Sequence, residues 1–95
     1  MLRLYQAEWC PYSSRVRQRL SELMVPFLAQ PVEPRPEDRE ELRRISGDDS
    51  IPVLVPESGG SIGDADAIIA WLDENYAEPH EADGHRAQAR AHATS

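Results

Sequence analysis

The chain has no lysine and a single cysteine, Cys10. One thiol excludes an intramolecular disulfide, and with it the stapled folds of small secreted domains; it fits a reducing, cytoplasmic setting. Any redox chemistry at Cys10 must therefore recruit a thiol from outside the chain. Apolar runs are short, far below the roughly 18 consecutive residues that a membrane span requires, so no membrane association is expected. The N-terminal Met1-Leu2-Arg3-Leu4-Tyr5 enters a strand pattern directly, without the charged-then-apolar profile of a signal peptide. A basic face is also lacking. The net charge of −7 argues against nucleic-acid binding, which needs cations to displace phosphate counterions. All ten basic residues are arginine, a bias that reads as coding preference before function.

What is present is enough for one small domain. Leu2-Arg3-Leu4-Tyr5 alternates as a short strand. After a loop from Ala7 to Cys10, Val16, Leu20, Leu23 and Met24 fall on one face of a helix. Phe27-Leu28-Ala29-Gln30, with Val32, reads as a second strand. Pro36 then opens a helix with Glu37, Asp38, Glu40 and Glu41 in its early turns, Arg43 and Arg44 in its last turn and Gly47 as its cap. Ile51 to Val55 is a third strand, Glu57 to Gly60 a hairpin turn, and Ser61-Ile62 a very short fourth strand. A last helix opens near Asp64 to Asp66, with Ala65, Ile68, Ile69, Leu72 and Tyr76 at helical spacing. The order β-α-β-α-β-β-α implies an α/β fold with a four-stranded mixed sheet: the first two strands parallel, the last two an antiparallel hairpin. Residues 1–77 form this domain. Residues 78–95 read as a polar tail that holds His80, His85 and His92 without the spacing or partners of a metal site.

Three features carry chemistry. Cys10 opens the first helix, where the N–H groups of the first turn, with Pro11 setting the turn and Ser13 and Arg15 nearby (Arg17 less directly), favour the thiolate. The plain alternative is an inert buried cysteine, but Pro11 and Tyr12 make a poor core segment. Pro52 begins a central strand at the cost of a ladder hydrogen bond. A cis Ile51-Pro52 bond that turns the Ile51 backbone toward a peptide-like ligand is one reason for it; an ordinary trans proline at a strand start is the other. The run Gly59-Gly60-Ser61-Ile62-Gly63-Asp64-Ala65-Asp66 places glycines and acids at a helix N-terminus. That arrangement suits an end group bearing both a carboxylate and an ammonium, and equally a plain hairpin with an aspartate cap.

Cys10-Pro11-Tyr12-Ser13, Leu42-Arg43-Arg44-Ile45-Ser46-Gly47, Ser50-Ile51-Pro52 and Gly59 to Asp66, in that order, resemble the glutaredoxins and, nearly as closely, the N-terminal domain of glutathione S-transferases. The resemblance spans about residues 1–76 and implies a thioredoxin fold. It implies further that Cys10 is the nucleophile, that Tyr12 flanks bound glutathione, and that Ile51, before a cis Pro52, pairs with the glutathione backbone. Arg43 or Arg44 would meet its glycine carboxylate, and Asp64, Ala65 and Asp66 its γ-glutamyl end. Three positions depart from the pattern. Ser13 replaces the second cysteine and closes the two-cysteine route. Ala7 replaces a lysine that contacts the ligand, and Ala65 lacks the usual hydroxyl, leaving only its backbone N–H.

The expected activity is thus a monothiol oxidoreductase that reduces glutathione mixed disulfides through Cys10, with a second glutathione as resolving thiol. Its partners would be glutathionylated proteins or low-molecular-weight disulfides, and the chain would act as a monomer. Two alternatives remain from the resemblance. One is a dimer sharing a [2Fe–2S] cluster through Cys10 and glutathione; the other is a transferase-like domain that binds without turnover.

Overall fold

The computed structural model describes residues 1–77. The expectations for residues 78–95, including the three histidines, lie outside the described residues. The elements in chain order are β1 (Leu2–Gln6), α1 (Pro11–Glu22), β2 (Phe27–Pro31), a 3-10 turn (Pro36–Asp38), α2 (Glu40–Ser46), β3 (Val53–Val55), β4 (Ile62–Gly63) and α3 (Ala65–Asn75). The four strands form one mixed sheet in the order β2-β1-β3-β4. β1 runs parallel to β2 and antiparallel to β3, and β3–β4 is the expected antiparallel hairpin. This is the four-stranded mixed α/β arrangement that the element order implies, and the thioredoxin fold that the resemblance implies.

Period-two alternation divides the sheet's side chains between two cores. Leu2, Leu4 and Leu54 point to one face, where they pack with Val16 and Leu20 of α1 and Ile68 and Leu72 of α3. Tyr5 and Val53 point to the other face and meet Leu42 of α2, with Ile45, Ile51 and Val55 around them. Apolar residues at i and i+4 explain both α1 and α3. Two ion pairs stitch these helices at their exposed edges: Arg15 to Asp66 at 2.6 Å and Arg19 to Asp73 at 2.7 Å. Exposed pairs of this kind contribute at most about 1 kcal/mol each, so burial of the shared apolar seam dominates. Among the described residues no helix is long and apolar enough to cross a membrane.

Two local expectations change. The helix expected to run on from Pro36 is split, because Arg39 adopts φ −86°, ψ 61° between the 3-10 turn and α2. Its side chain is only 4% exposed and donates to the carbonyls of Glu33 (2.7 Å), Pro34 (3.2 Å) and Asp49 (2.9 Å). A buried guanidinium needs several acceptors, and the break lets the chain wrap around it. Gly47 does cap α2, in the left-handed region at φ 80° that glycine adopts without a Cβ penalty. Met24 is the second change. It is not on the apolar face of α1 but exposed, with φ 57°, because α1 ends at Glu22 and the chain reverses within a few residues to start β2.

Candidate functional site

The loop from β1 returns the chain so that Cys10 becomes the N-cap of α1, its N–H bonded to the Ala7 carbonyl at 3.2 Å. Pro11 occupies the first helical position, where its missing N–H costs nothing. Cys10 is 6% exposed, so the thiol is buried at the helix mouth. Burial pushes its pKa up, but the Ser13 hydroxyl, the N–H groups of Ser13 and Tyr12 and the charge of Arg17 more than offset this. The net result holds the thiol below its ordinary value. None of these donors makes a strict capping bond to sulfur; together they face the position where thiolate charge resides.

Ser13 is fully buried, and its Oγ accepts the Ala7 N–H at 3.4 Å. With that lone pair engaged, the hydroxyl proton is free to turn toward Cys10. Arg17 sits one helical turn further on. It donates to Gln6 Oε1 and, at 3.3 Å, to the Ala7 carbonyl, with Glu8 at 3.6 Å. These contacts hold the guanidinium on the Cys10 side of α1. Arg15, the cation the sequence put first, instead points to α3 and pairs with Asp66. Side chains two positions apart on a helix do not share a face, so only one of the two can serve the thiol.

Beside the helix mouth lies a cleft of about 660 Å³. Tyr12, Ile51, Pro52, Asp64 and Ala65 line it, as do Asp48 and the hydroxyl residues Ser46, Ser50 and Ser61. The Ile51-Pro52 bond is cis. Asp64 caps α3 by accepting the Ala67 N–H at 3.3 Å, and holds φ 68°, ψ 129°. A non-glycine residue in this region stores about 1–3 kcal/mol of backbone strain, a cost met chiefly at ligand-binding positions.

The structure gathers Cys10, Pro11, Tyr12 and Ser13 at the helix mouth and Ile51, Pro52, Asp64 and Ala65 in the adjacent cleft. It does not bring Arg43, Arg44 or Asp66 into the cleft lining. Arg43 bends back to the carbonyls of Pro36 and Glu37, both at 2.9 Å, the first of which also accepts the Arg39 N–H at 3.1 Å. Arg44 is exposed on α2. Asp66 is held by Arg15. Sequence reasoning missed Asp48, Ser46 and Ser61 as lining residues. The one usable signal was the Asp48-Asp49 pair immediately before Ser50-Ile51-Pro52.

Among the described residues no three His, Cys, Asp or Glu side chains lie together as a metal site. A cluster shared between two copies would draw one protein ligand, Cys10, from each.

Residues 4–80 match the family described as Glutathione S-transferase, N-terminal domain. The chain belongs to that family. Among solved structures, glutathione S-transferase isozyme E7 from Drosophila melanogaster is 32% identical, with a TM-score of 0.72 over 80% of this chain and 35% of that one. A glutathione S-transferase from Methylobacterium radiotolerans, in complex with glutathione sulfonate, is 30% identical, with a TM-score of 0.70 over 79% of this chain and 35% of that one. Glutaredoxin 2 from Salmonella typhimurium, in complex with glutathione, has a TM-score of 0.72 at 17% identity, covering 79% of this chain and 34% of that one. That last likeness shows the fold alone. No curated protein gives a significant sequence match. The chain thus spans little more than a third of the length of these solved relatives. Of the two resemblances in the sequence, the transferase N-domain is the one that residues 4–80 bear out by family.

Proposed function

We propose that the chain is a monothiol oxidoreductase that reduces mixed disulfides of a small peptide-like thiol, with glutathione as the first candidate. The observation that carries this reading is the buried Cys10 thiol, held below its ordinary pKa by Ser13, Tyr12 and Arg17 beside a cleft floored by Ile51 and Pro52. The Methylobacterium transferase, solved in complex with glutathione sulfonate, supports the choice of ligand.

The Cys10 thiolate attacks the glutathione sulfur of a mixed disulfide. A Cys10–glutathione bond forms, the original S–S bond breaks, and the substrate leaves as a thiolate that takes a proton from water. Ser13 has no thiol to displace the glutathione, so a second glutathione thiolate attacks that sulfur. Oxidised glutathione leaves and Cys10 returns as thiolate. Net, one free glutathione is consumed and one substrate thiol and one oxidised glutathione are released, in a ping-pong sequence with a rate that balances thiolate fraction against nucleophilicity. Glutathionylated proteins and small disulfides are the proposed substrates, a monomer the proposed unit and a reducing cytoplasm the proposed setting.

Intact mass tests the reading. Oxidised glutathione should add one glutathionyl group to the protein and none to Cys10→Ser, which should also lose deglutathionylation activity entirely. An unmodified wild-type protein, with a Cys10 titration near the ordinary thiol value of about 8.5, would overturn it.

A further inference from the structure

The cleft beside Cys10 contains two carboxylates, Asp48 and Asp64, together with Ser46, Ser50 and Ser61, and no basic side chain lines it among the described residues. Both carboxylates are fixed. Asp48 Oδ1 accepts the Asp49 N–H at 2.7 Å and its Oδ2 accepts the Ser50 hydroxyl at 3.3 Å, while Asp64 is anchored as the cap of α3. Asp48 enters from the α2–β3 loop and Asp64 from the β4–α3 junction, so the cleft is lined by carboxylates from two separate segments.

The nearby arginines are directed elsewhere. Arg15 pairs with Asp66, Arg17 with Gln6 and the Ala7 carbonyl, Arg39 with three backbone carbonyls, and Arg43 with the 3-10 turn, while Arg44 is exposed on α2 outside the cleft lining. The formal net charge of −7 adds a repulsive far field for anions. Glutathione carries two carboxylates and one ammonium. One of those carboxylates would lie in a cleft that offers it hydroxyls and N–H groups but no cation.

We infer that the cleft selects a low-molecular-weight thiol bearing an amine and hydroxyl groups, with at most one carboxylate, and exchanges it faster than glutathione. The inference rests on the proposed oxidoreductase reading and names the substrate class of that same site. The exchange needs no further oxidant. Cys10 thiolate attacks one sulfur of an aminoalkyl disulfide, one aminothiolate leaves, and a second aminothiolate later regenerates Cys10 and the disulfide.

Three disulfides of different charge test this: cystamine with two ammonium groups, bis(2-hydroxyethyl) disulfide with none, and oxidised glutathione with a net negative charge. The rate of single-adduct formation at Cys10 is followed by intact mass and divided by the rate of each disulfide with a free small thiol, which removes intrinsic reactivity. At low ionic strength the corrected rates should fall in the order cystamine, hydroxyethyl, glutathione, with about tenfold between the ends, as expected for one or two unit charges near the water limit. In 1 M salt, where the screening length is about 3 Å, the span should shrink toward unity.

Asp48→Asn and Asp64→Asn should each reduce the cystamine-to-glutathione ratio about threefold, asparagine preserving the cap at position 64. Glu41→Gln, on the exposed start of α2, removes the same charge outside the cleft and should leave the ratio in place. Glutathione disulfide reacting as fast as cystamine at low salt, or a ratio indifferent to both asparagine variants, overturns the inference while leaving the oxidoreductase reading intact. No adduct from any disulfide overturns both.

Discussion

The wall at the mouth of α1, which meets the cleft through Tyr12, holds a buried thiol among donors just outside the lining, whereas the wall built by the α2–β3 loop and the β4–α3 junction carries carboxylates and hydroxyls beside Ile51, Pro52 and Val53. The first wall gathers Ser13, Arg17 and the first-turn N–H groups around one sulfur. The second contains no cation among the described residues and no nucleophile. Reactivity and selection therefore reside on separate segments, joined through the sheet and through the packing of α1 on α3. Changes on the first wall should move the pH dependence of exchange, and changes on the second should move which disulfide is exchanged. Cys10→Ser removes the first function outright, and the aspartate substitutions erode the second.

The largest stability effect should come from the hidden support of the second wall. Arg39 ties the carbonyls of Glu33 and Pro34 to that of Asp49, which stands two residues before Ile51. Arg39→Ala removes a buried side chain and its three charge-assisted hydrogen bonds and should lower stability by about 2–3 kcal/mol. Arg39→Lys supplies a charge without the planar fork and should recover only part of it. Denaturant unfolding measures the loss. For either variant still folded, the Cys10 pH midpoint should stay where it is while selectivity among disulfides weakens. A shifted midpoint would show that the walls are coupled, and the comparison would fail.

Much of this was legible because the informative residues are rare types in forced places. Strand alternation in Leu2-Arg3-Leu4-Tyr5 and Val53-Leu54-Val55 fixed which side chains enter each core, and the apolar stripes of α1 and α3 fixed what covers one face. Cys10 after Ala7-Glu8-Trp9, and Pro52 at a strand start, announced the site. The arginines were not legible. A long side chain can reach several partners, and the choice among Arg15, Arg17, Arg43 and Arg44 depends on which helix face turns toward the thiol and where acceptor carbonyls lie. Arg39 is the extreme case: arginine is rarely buried, so nothing local marked the break that it makes between the 3-10 turn and α2. Asp48 was hidden because a carboxylate after a helix cap usually reads as solvated loop.

A smaller effect, on the first wall, comes from Ser13. The hydroxyl accepts from Ala7 and favours the thiolate of Cys10. Ser13→Ala should raise the Cys10 midpoint toward the ordinary thiol value of about 8.5, read from thiolate absorbance. Exchange at neutral pH should slow several-fold, with wild type and variant converging above both midpoints. The sign for stability follows from the same shift. Because the folded-state pKa is lowered, the thiolate's contribution is complete above the unfolded value and is lost as pH falls through the folded one. Wild type should therefore lose this increment on acidification, and Ser13→Ala should have less of it to lose. An unmoved midpoint would assign the thiolate to Arg17 and the helix mouth alone.

The smallest effect should come from Tyr5, which belongs to neither wall and sits beneath the second in the core of Leu42 and Val53. Its side chain is buried, and its Oη has no hydrogen-bond partner among the described residues. A buried hydroxyl without a partner opposes folding, so Tyr5→Phe keeps the ring packing and removes the unsatisfied group. Stability should hold or rise by up to about 1 kcal/mol, with the Cys10 midpoint and the ranking of disulfides unchanged. If the variant instead loses selectivity, the hydroxyl reaches the second wall through Ile51, and the boundary between support and selection must be drawn one layer deeper.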